Sequence, residues 1–135
     1  MQFIKNLYAK FACRFNQPVQ EEKKRTDQVR TSYLEIQIQS LERDTGRIQE
    51  HLEDNPWGIE TLAEFSSPSP YRDGSVRRNM HRDHAIAHGH ILTNLKHYRK
   101  SVDSEIVHAY FSTWKSFDDA YNTLEEKFLD SDRQL

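Results

Sequence analysis

Apolar residues recur every three or four positions in the first sixteen residues of the chain, which is the spacing of an amphipathic helix. They are Phe3, Ile4, Leu7, Tyr8, Phe11, Ala12 and Phe15. The charged residues between them are all basic. Such a helix can pack onto the domain core, dock on another protein, or lie on a membrane surface through residues 2–16. Pro18 predicts that helix 1–16 ends there or gives way to a linker.

A second periodic segment covers residues 20–54 and predicts a long helix. Its apolar positions follow a 4-3-4-3-4 spacing, which is typical of the seam of a coiled coil or of a long bundle helix. These positions are Leu34, Ile38, Leu41, Thr45, Ile48 and Leu52. Gly46 lies within the segment and weakens the helix by about 1 kcal/mol relative to alanine. We expect the helix to stop at Asn55–Gly58, because Pro56 cannot continue it.

Residues 66–75 are expected to form a loop, because serine, proline and glycine are concentrated there. A short helical piece over residues 59–65 would precede this loop. Ser75 is the expected N-cap of the helix that follows, since its hydroxyl can accept a hydrogen bond from a free backbone N–H.

From residue 76 to residue 130 the pattern is helical, with N-cap residues around Ser101–Ser104 that predict a break. One apolar stripe contains Val76, Met80, Ala87, Ile91, Leu95, Tyr98 and Val102, and the next contains Ile106, Tyr110, Trp114, Phe117, Tyr121, Leu124 and Phe128. The segment is either a hairpin of two helices or one helix of about 80 Å paired with another subunit. The predicted fold is all-α: a single domain, residues 1–135, built as a bundle of three to four long helices with room for coiled-coil-like pairing.

Composition narrows the class of protein. The chain has 135 residues, 36% of them hydrophobic and 30% charged, and its aromatic residues supply enough apolar surface for a modest core. Cys13 is the only cysteine, so no intramolecular disulfide can form and a reducing, cytoplasmic location is expected. The first residues are too interrupted by basic side chains for a secretory signal, and no run of residues has the length of a membrane span.

Charge is distributed unevenly, although the formal net charge is only −2. Residues 71–100 carry seven basic and two acidic side chains, whereas residues 31–70 carry two basic and eight acidic ones. Residues 101–135 carry three basic and eight acidic side chains. The helices would therefore neutralise one another in the folded bundle, or leave a basic patch exposed for an anionic partner.

Five of the seven histidines fall between residues 77 and 97, and three of them share one helix face. At 100° per residue, Arg77, His81, His84 and His88 lie within an arc of about 60°. His84 and His88 have the i, i+4 spacing that lets two imidazoles bind one metal ion, with His81 on the same side. The neighbouring arginines would repel a cation, and no His-Glu-x-x-His motif is present. Apart from such a metal ion, we expect the chain to bind no cofactor.

The same region supports three other interpretations. Its cations and one histidine are candidates for binding a partner or an anion, including nucleic acid through residues 72–100. These candidates are Arg77, Arg78, Arg82, His90, Lys96, Arg99 and Lys100. The histidines would alternatively act as a pH switch, or pack half-buried against carboxylates of the acidic helices.

The sequence contains few features that would indicate catalysis. The chain has no glycine-rich phosphate loop, no Gly-x-Ser-x-Gly and no convincing pair of acids, and Cys13 lies within an aromatic helix face. We therefore expect no enzyme but a helical interaction protein: an adaptor, inhibitor or regulatory subunit that binds a protein partner and self-associates. Nucleic-acid binding through the basic strip and metal binding through His81, His84 and His88 are the alternatives.

Overall fold

The protein is a bundle of α-helices. The computed structural model describes the backbone of residues 2–53 and 70–134 and the side chains of residues 20–53 and 70–130. Within these ranges it has helices and one 3-10 turn but no strand, which confirms the all-α prediction. The elements are α1 (Gln2–Glu53), the turn Pro70–Arg72, α2 (Gly74–Thr93), α3 (Leu95–Ser101) and α4 (Ser104–Gln134). The expected stop at 55–58, the helical piece 59–65 and residues 66–69 of the loop lie outside the described residues.

α1 is a single helix of 52 residues, where the sequence predicted two segments. It passes through Pro18, the expected boundary. A proline inside a helix removes one backbone hydrogen bond and costs about 3 kcal/mol, but its φ angle is one that the helix accepts, so strong helix formers that follow it can carry the helix past it. Residues 21–25 are such formers, all of them Glu, Lys or Arg. The side chains of the amphipathic segment 2–16 lie outside the described ones.

α2 and α4 run antiparallel. Arg77, near the start of α2, pairs with Glu125 near the end of α4. His88, towards the end of α2, contacts Tyr110 near the start of α4. The segment 76–130 is thus a hairpin and not one continuous helix.

α1 runs antiparallel to α2 and α3, and therefore parallel to α4. Arg30 of α1 donates a hydrogen bond to Ser101 at the end of α3, while Asp44 further along α1 contacts His84 in the middle of α2. At the other end of the bundle, His51 packs against Tyr71, just before α2. The three long helices thus go up, down and up, with the hairpin turn level with Arg30.

The centre of the core lies between α1 and α4. Leu34, Leu41 and Ile48 are buried on α1, and Tyr110, Phe117 and Leu124 are buried on α4. Both sets repeat every seven residues, so each forms a straight apolar seam along its helix. Ile38 and Leu52 are partly buried and pack against the same core. The heptad seam of residues 34–52 is thus occupied by another helix of the same chain.

Local hydrogen bonds explain where the hairpin helices begin and end. Asp73, not the expected Ser75, caps α2: its carboxylate accepts a hydrogen bond of 2.8 Å from the Ser75 N–H. An aspartate is favoured there because its charge also complements the N-terminal end of the helix dipole. Val102 is extended and buried between α3 and α4. The carbonyl of Asp103 accepts hydrogen bonds from the N–H groups of Ile106 and Val107 and opens α4.

Candidate functional site

The inner face of α2 is polar, unlike the seams of α1 and α4. Its three buried residues are Arg77, His84 and Ile91, again seven residues apart. His81 and His88 lie beside them and are half-buried. A charged or titratable side chain can be buried at such positions only if another helix supplies its hydrogen-bond partner.

Arg77 connects α2 to α4 and to the turn before α2. Its Nε donates to Glu125 Oε1 at 2.8 Å, and its Nη1 donates to the carbonyls of Tyr71 and Arg72 at 2.7 and 3.0 Å. The guanidinium carbon lies 4.2 Å from the centre of the Phe128 ring, a cation–π contact. Burial alone would raise the pKa of Glu125, but the hydrogen bond and charge of Arg77 outweigh it and lower that pKa. Arg77 is therefore an internal structural residue and does not belong to the exposed basic surface that the sequence suggested.

His84 connects α2 to α1. Its Nε2 lies 2.6 Å from Asp44 Oδ2, and both side chains are largely buried. The ring meets Phe117 of α4 edge-on, at 4.6 Å between ring centres. Asp44 also lies 3.5 Å from Arg47 on its own helix. One histidine thus contacts both other long helices at the middle of the bundle.

His81 and His88 face α4. His81 Nε2 lies 2.8 Å from Asp118 Oδ1, and its ring stacks 4.1 Å from that of Tyr121. His88 Nδ1 lies 2.9 Å from the hydroxyl of Tyr110, and its ring lies parallel to that of Trp114 at 4.1 Å. These contacts place each ring in a fixed orientation between two helices.

Burial controls the ionisation of this last pair. It lowers the pKa of His88, which the charge of Asp118 opposes in part. It also raises the pKa of Tyr110 strongly. Both side chains are therefore held in their neutral forms near neutral pH.

The three candidate metal ligands do not converge. His81, His84 and His88 are hydrogen-bonded to three different residues on α1 and α4. Among the side chains described, no three of His, Cys, Asp or Glu form a group that could hold a metal ion. His81 and His84 pack against carboxylates, which was one of the alternatives for this strip, whereas His88 pairs with the phenol of Tyr110.

The remaining candidate cations are exposed but separated. Arg78, Arg82 and His90 are exposed on α2, and the other three are exposed on α3. The α3 residues are Lys96, Arg99 and Lys100. Arg82 lies on α2 and Lys96 on α3, and the backbone leaves helical geometry at Asn94 between the two helices. The exposed candidates therefore form one basic area on α2 and another on α3.

The outer face of α1 carries an apolar surface that was not expected from the sequence. Val29 and Ile36 are 66% and 59% exposed, although both are branched aliphatic residues. They line a shallow groove of about 390 Å³ beside Tyr33. The complete lining is Arg25, Gln28, Val29, Ser32, Tyr33 and Ile36. The seven-residue spacing of Val29 and Ile36 was the available signal, but two residues among polar neighbours are easily overlooked.

A second groove lies where α3 meets α4. It has a volume of about 420 Å³ and combines the basic residues Arg99 and His108 with the apolar side chains Val107 and Phe111. Its remaining lining residue is Ser104, at the start of α4.

Comparison of the chain with protein-family models, with curated protein sequences and with solved structures gives no match. Over the described residues, none of the helices combines the length and the apolar character needed to cross a lipid bilayer.

Proposed function

We propose that this chain is a non-enzymatic helical interaction protein, an adaptor, inhibitor or regulatory subunit, that binds a protein partner through α1. The observation that carries the proposal is the length of α1 relative to the bundle. Arg30 is level with the hairpin turn, because it hydrogen-bonds to Ser101 at the end of α3. Residues 2–29 of the same helix precede that point, and 28 residues of α-helix measure about 42 Å.

Exposure along α1 supports this role. Residues 20–26 are all exposed, whereas the seam positions Leu34, Leu41 and Ile48 are fully buried. The apolar groove at Val29 and Ile36 lies where the exposed part of α1 joins the bundle. An extended helix with an apolar stripe on its surface is a common means of docking proteins.

The use of the polar side chains supports a binding role rather than catalysis. Arg77 and the three histidines of α2 are side chains of the kind that often take part in catalysis. Here all four connect helices to one another: Arg77, His81, His84 and His88. We therefore assign function to the surface, in the cytoplasm, where the single thiol, Cys13, would stay reduced.

Nucleic-acid binding through residues 72–100 is the alternative function, favoured by the exposure of Arg78, Arg82 and the three α3 cations. It would depend on phosphate contacts and would therefore weaken steeply with salt. The separation of the two basic areas and the internal pairing of Arg77 favour the protein partner.

The test is affinity capture with the full chain from nuclease-treated lysate of cells that express it. The variant Val29→Glu/Ile36→Glu places two charges in the α1 groove. Ile86→Glu/Leu92→Glu is the matched control, because these residues are 52% and 48% exposed on α2. We expect a stoichiometric protein that the wild type and the control retain and the α1 variant loses. Equal capture by both variants, or a nucleic acid as the only bound species, would contradict the proposal.

A further inference from the structure

The outer face of α1 has a seven-residue repeat of its own. The positions 4, 8, 11, 15, 18, 22, 25, 29, 32 and 36 are spaced alternately by four and three residues. Because α1 is one continuous helix from Gln2 to Glu53, this register runs unbroken along it. Val29 lies about 140° around the helix from Leu34, and Ile36 lies the same angle from Leu41, at 100° per residue. The described end of the second repeat is therefore on the far side of α1 from the core.

The apolar residues of this second repeat are concentrated at its two ends. Its first four positions are Ile4, Tyr8, Phe11 and Phe15, and its far end contains Val29 and Ile36 with Ser32 between them. The middle positions are Pro18, Glu22 and Arg25. At the described end the groove is open, since Val29 and Ile36 are more than half exposed.

The two apolar ends cannot meet within one chain. Both belong to the same continuous helix, and positions 11 and 29 are about 27 Å apart along it. A second copy of α1 in antiparallel orientation, centred on position 20, brings them together. Position 4 of one copy then lies opposite position 36 of the other, and position 11 lies opposite position 29.

Charge favours the antiparallel orientation. A parallel pair in register would place Glu22 opposite Glu22 and Arg25 opposite Arg25, and like charges at a helix seam repel. The antiparallel pair places Arg25 opposite Phe15, where a cation and an aromatic residue are compatible. Glu22 then lies opposite Pro18.

We propose that the protein forms a homodimer by antiparallel pairing of α1, in which residues 4–15 of each copy occupy the groove at Val29 and Ile36 of the other. This inference rests on the proposed function, because it uses the same face of α1, and it identifies the partner as a second copy of the chain. The bundle seam at Leu34, Leu41 and Ile48 takes no part in the dimer, since α4 covers it.

The first test is the mass of the full chain in solution, measured by light scattering over a dilution series. We expect about 32 kDa for the wild type, twice the 16.1 kDa of one chain. Val29→Glu/Ile36→Glu should halve this mass, and Ile86→Glu/Leu92→Glu should leave it unchanged. Circular dichroism should show equal helicity in both variants, because all four residues are exposed. A monomeric wild type, or a dimer that both variants preserve, overturns the inference.

The second test determines orientation by disulfide cross-linking in a Cys13→Ser background. One preparation carries Phe11→Cys and another carries Val29→Cys. We expect cross-linked dimer only after the two preparations are mixed. Cross-linking in the Val29→Cys preparation alone would mean parallel pairing and would overturn the antiparallel arrangement.

The two proposals fail differently. If the wild type is monomeric but Val29→Glu/Ile36→Glu still abolishes capture of another protein, the homodimer is wrong and the docking role of α1 stands. If neither mass nor capture responds to that variant, both are wrong.

Discussion

The contact between α1 and α4 differs in kind from the contacts of α2. Leu34, Leu41 and Ile48 meet an apolar seam on α4, so burial of apolar area holds those two helices together. The buried positions of α2 include Arg77 and His84, which are matched to acids on other helices. Apolar contact is tolerant of small shifts, whereas a hydrogen bond of 2.6–2.8 Å is not. We infer that α1 and α4 supply most of the stability, and that polar pairs determine how α2 sits against them.

The largest effect should come from the apolar seam. Phe117 is fully buried, so Phe117→Ala should lower the free energy of unfolding by about 3–5 kcal/mol through lost contacts and a cavity. Urea denaturation of the full chain measures this. Leu129→Ala is the control, since Leu129 is half exposed on the same helix, and it should change stability by less than about 0.5 kcal/mol. Similar losses for the two variants would mean that α4 is not held by this seam.

The ion pair between Arg77 of α2 and Glu125 of α4 should respond to mutation differently from the apolar seam. Removing one partner leaves the other without its counter-charge. Arg77→Met leaves Glu125 without its cation and should cost about 2–3 kcal/mol. The double variant Arg77→Met/Glu125→Leu should recover part of that loss, since an apolar pair can replace a buried ion pair. Additive losses in the double variant would show that Arg77 and Glu125 do not act as a pair.

Replacing either of two helix-interior glycines by alanine should stabilise the protein by a similar amount, although the two lie on different helices. A Cβ added at Gly46 of α1 or Gly89 of α2 would meet no other atom within 4 Å. Gly46→Ala and Gly89→Ala should therefore each raise the free energy of unfolding by about 1 kcal/mol, through helix propensity alone. Thermal unfolding checks this, and a destabilised variant would reveal tighter packing at that glycine than the structure shows.

The polar contacts of α2, unlike the apolar seam between α1 and α4, should make the stability of the protein depend on pH. Burial lowers the pKa of His88, against the opposing charge of Asp118. A histidine with a lowered pKa binds fewer protons when folded, so its stabilising contribution is present above its unfolded pKa of about 6.5 and is lost as the pH falls through its folded pKa.

His88→Gln keeps a hydrogen-bonding group beside Tyr110 but cannot titrate. We expect the wild type to lose more stability than this variant between pH 7 and pH 5, measured by urea denaturation at each pH. Parallel curves for the two proteins would contradict the burial of a neutral His88.

Sequence periodicity was sufficient to find the apolar seam. Leu34, Leu41 and Ile48 repeat every seven residues among polar neighbours, and few structures other than a buried helix face produce that pattern. Periodicity does not identify the helix that covers a seam. Whether α4 or another subunit meets these residues depends on how the chain turns between Ser101 and Ser104, which short N-cap signals only suggest.

The role of Arg77 could not be predicted from its neighbours in sequence. Three arginines within six residues suggest a charged surface, and only one of them is buried. The difference arises from Glu125, 48 residues away, and from the carbonyls of Tyr71 and Arg72. Arg77 nevertheless shares a seven-residue spacing with His84 and Ile91, and that spacing was the signal for its burial.

The outer face of α1 could not be recognised from the sequence alone, for a related reason. Pro18 made a boundary the natural expectation, and a boundary separates the N-terminal stripe from Val29 and Ile36. Once α1 is one helix, both belong to a single repeat, and its described end, Val29 and Ile36, lies on the side away from the core.

The central claim is that the outer face of α1 is covered by another protein surface. Amide hydrogen exchange of the full chain tests it most directly, because an uncovered helix frays and exchanges readily. We predict slow exchange over residues 20–29 in the wild type, fast exchange there in Val29→Glu/Ile36→Glu, and unchanged slow exchange over residues 38–48 in both. Equally fast exchange over residues 20–29 in the two proteins, at a concentration where the wild type should be paired, would contradict the claim.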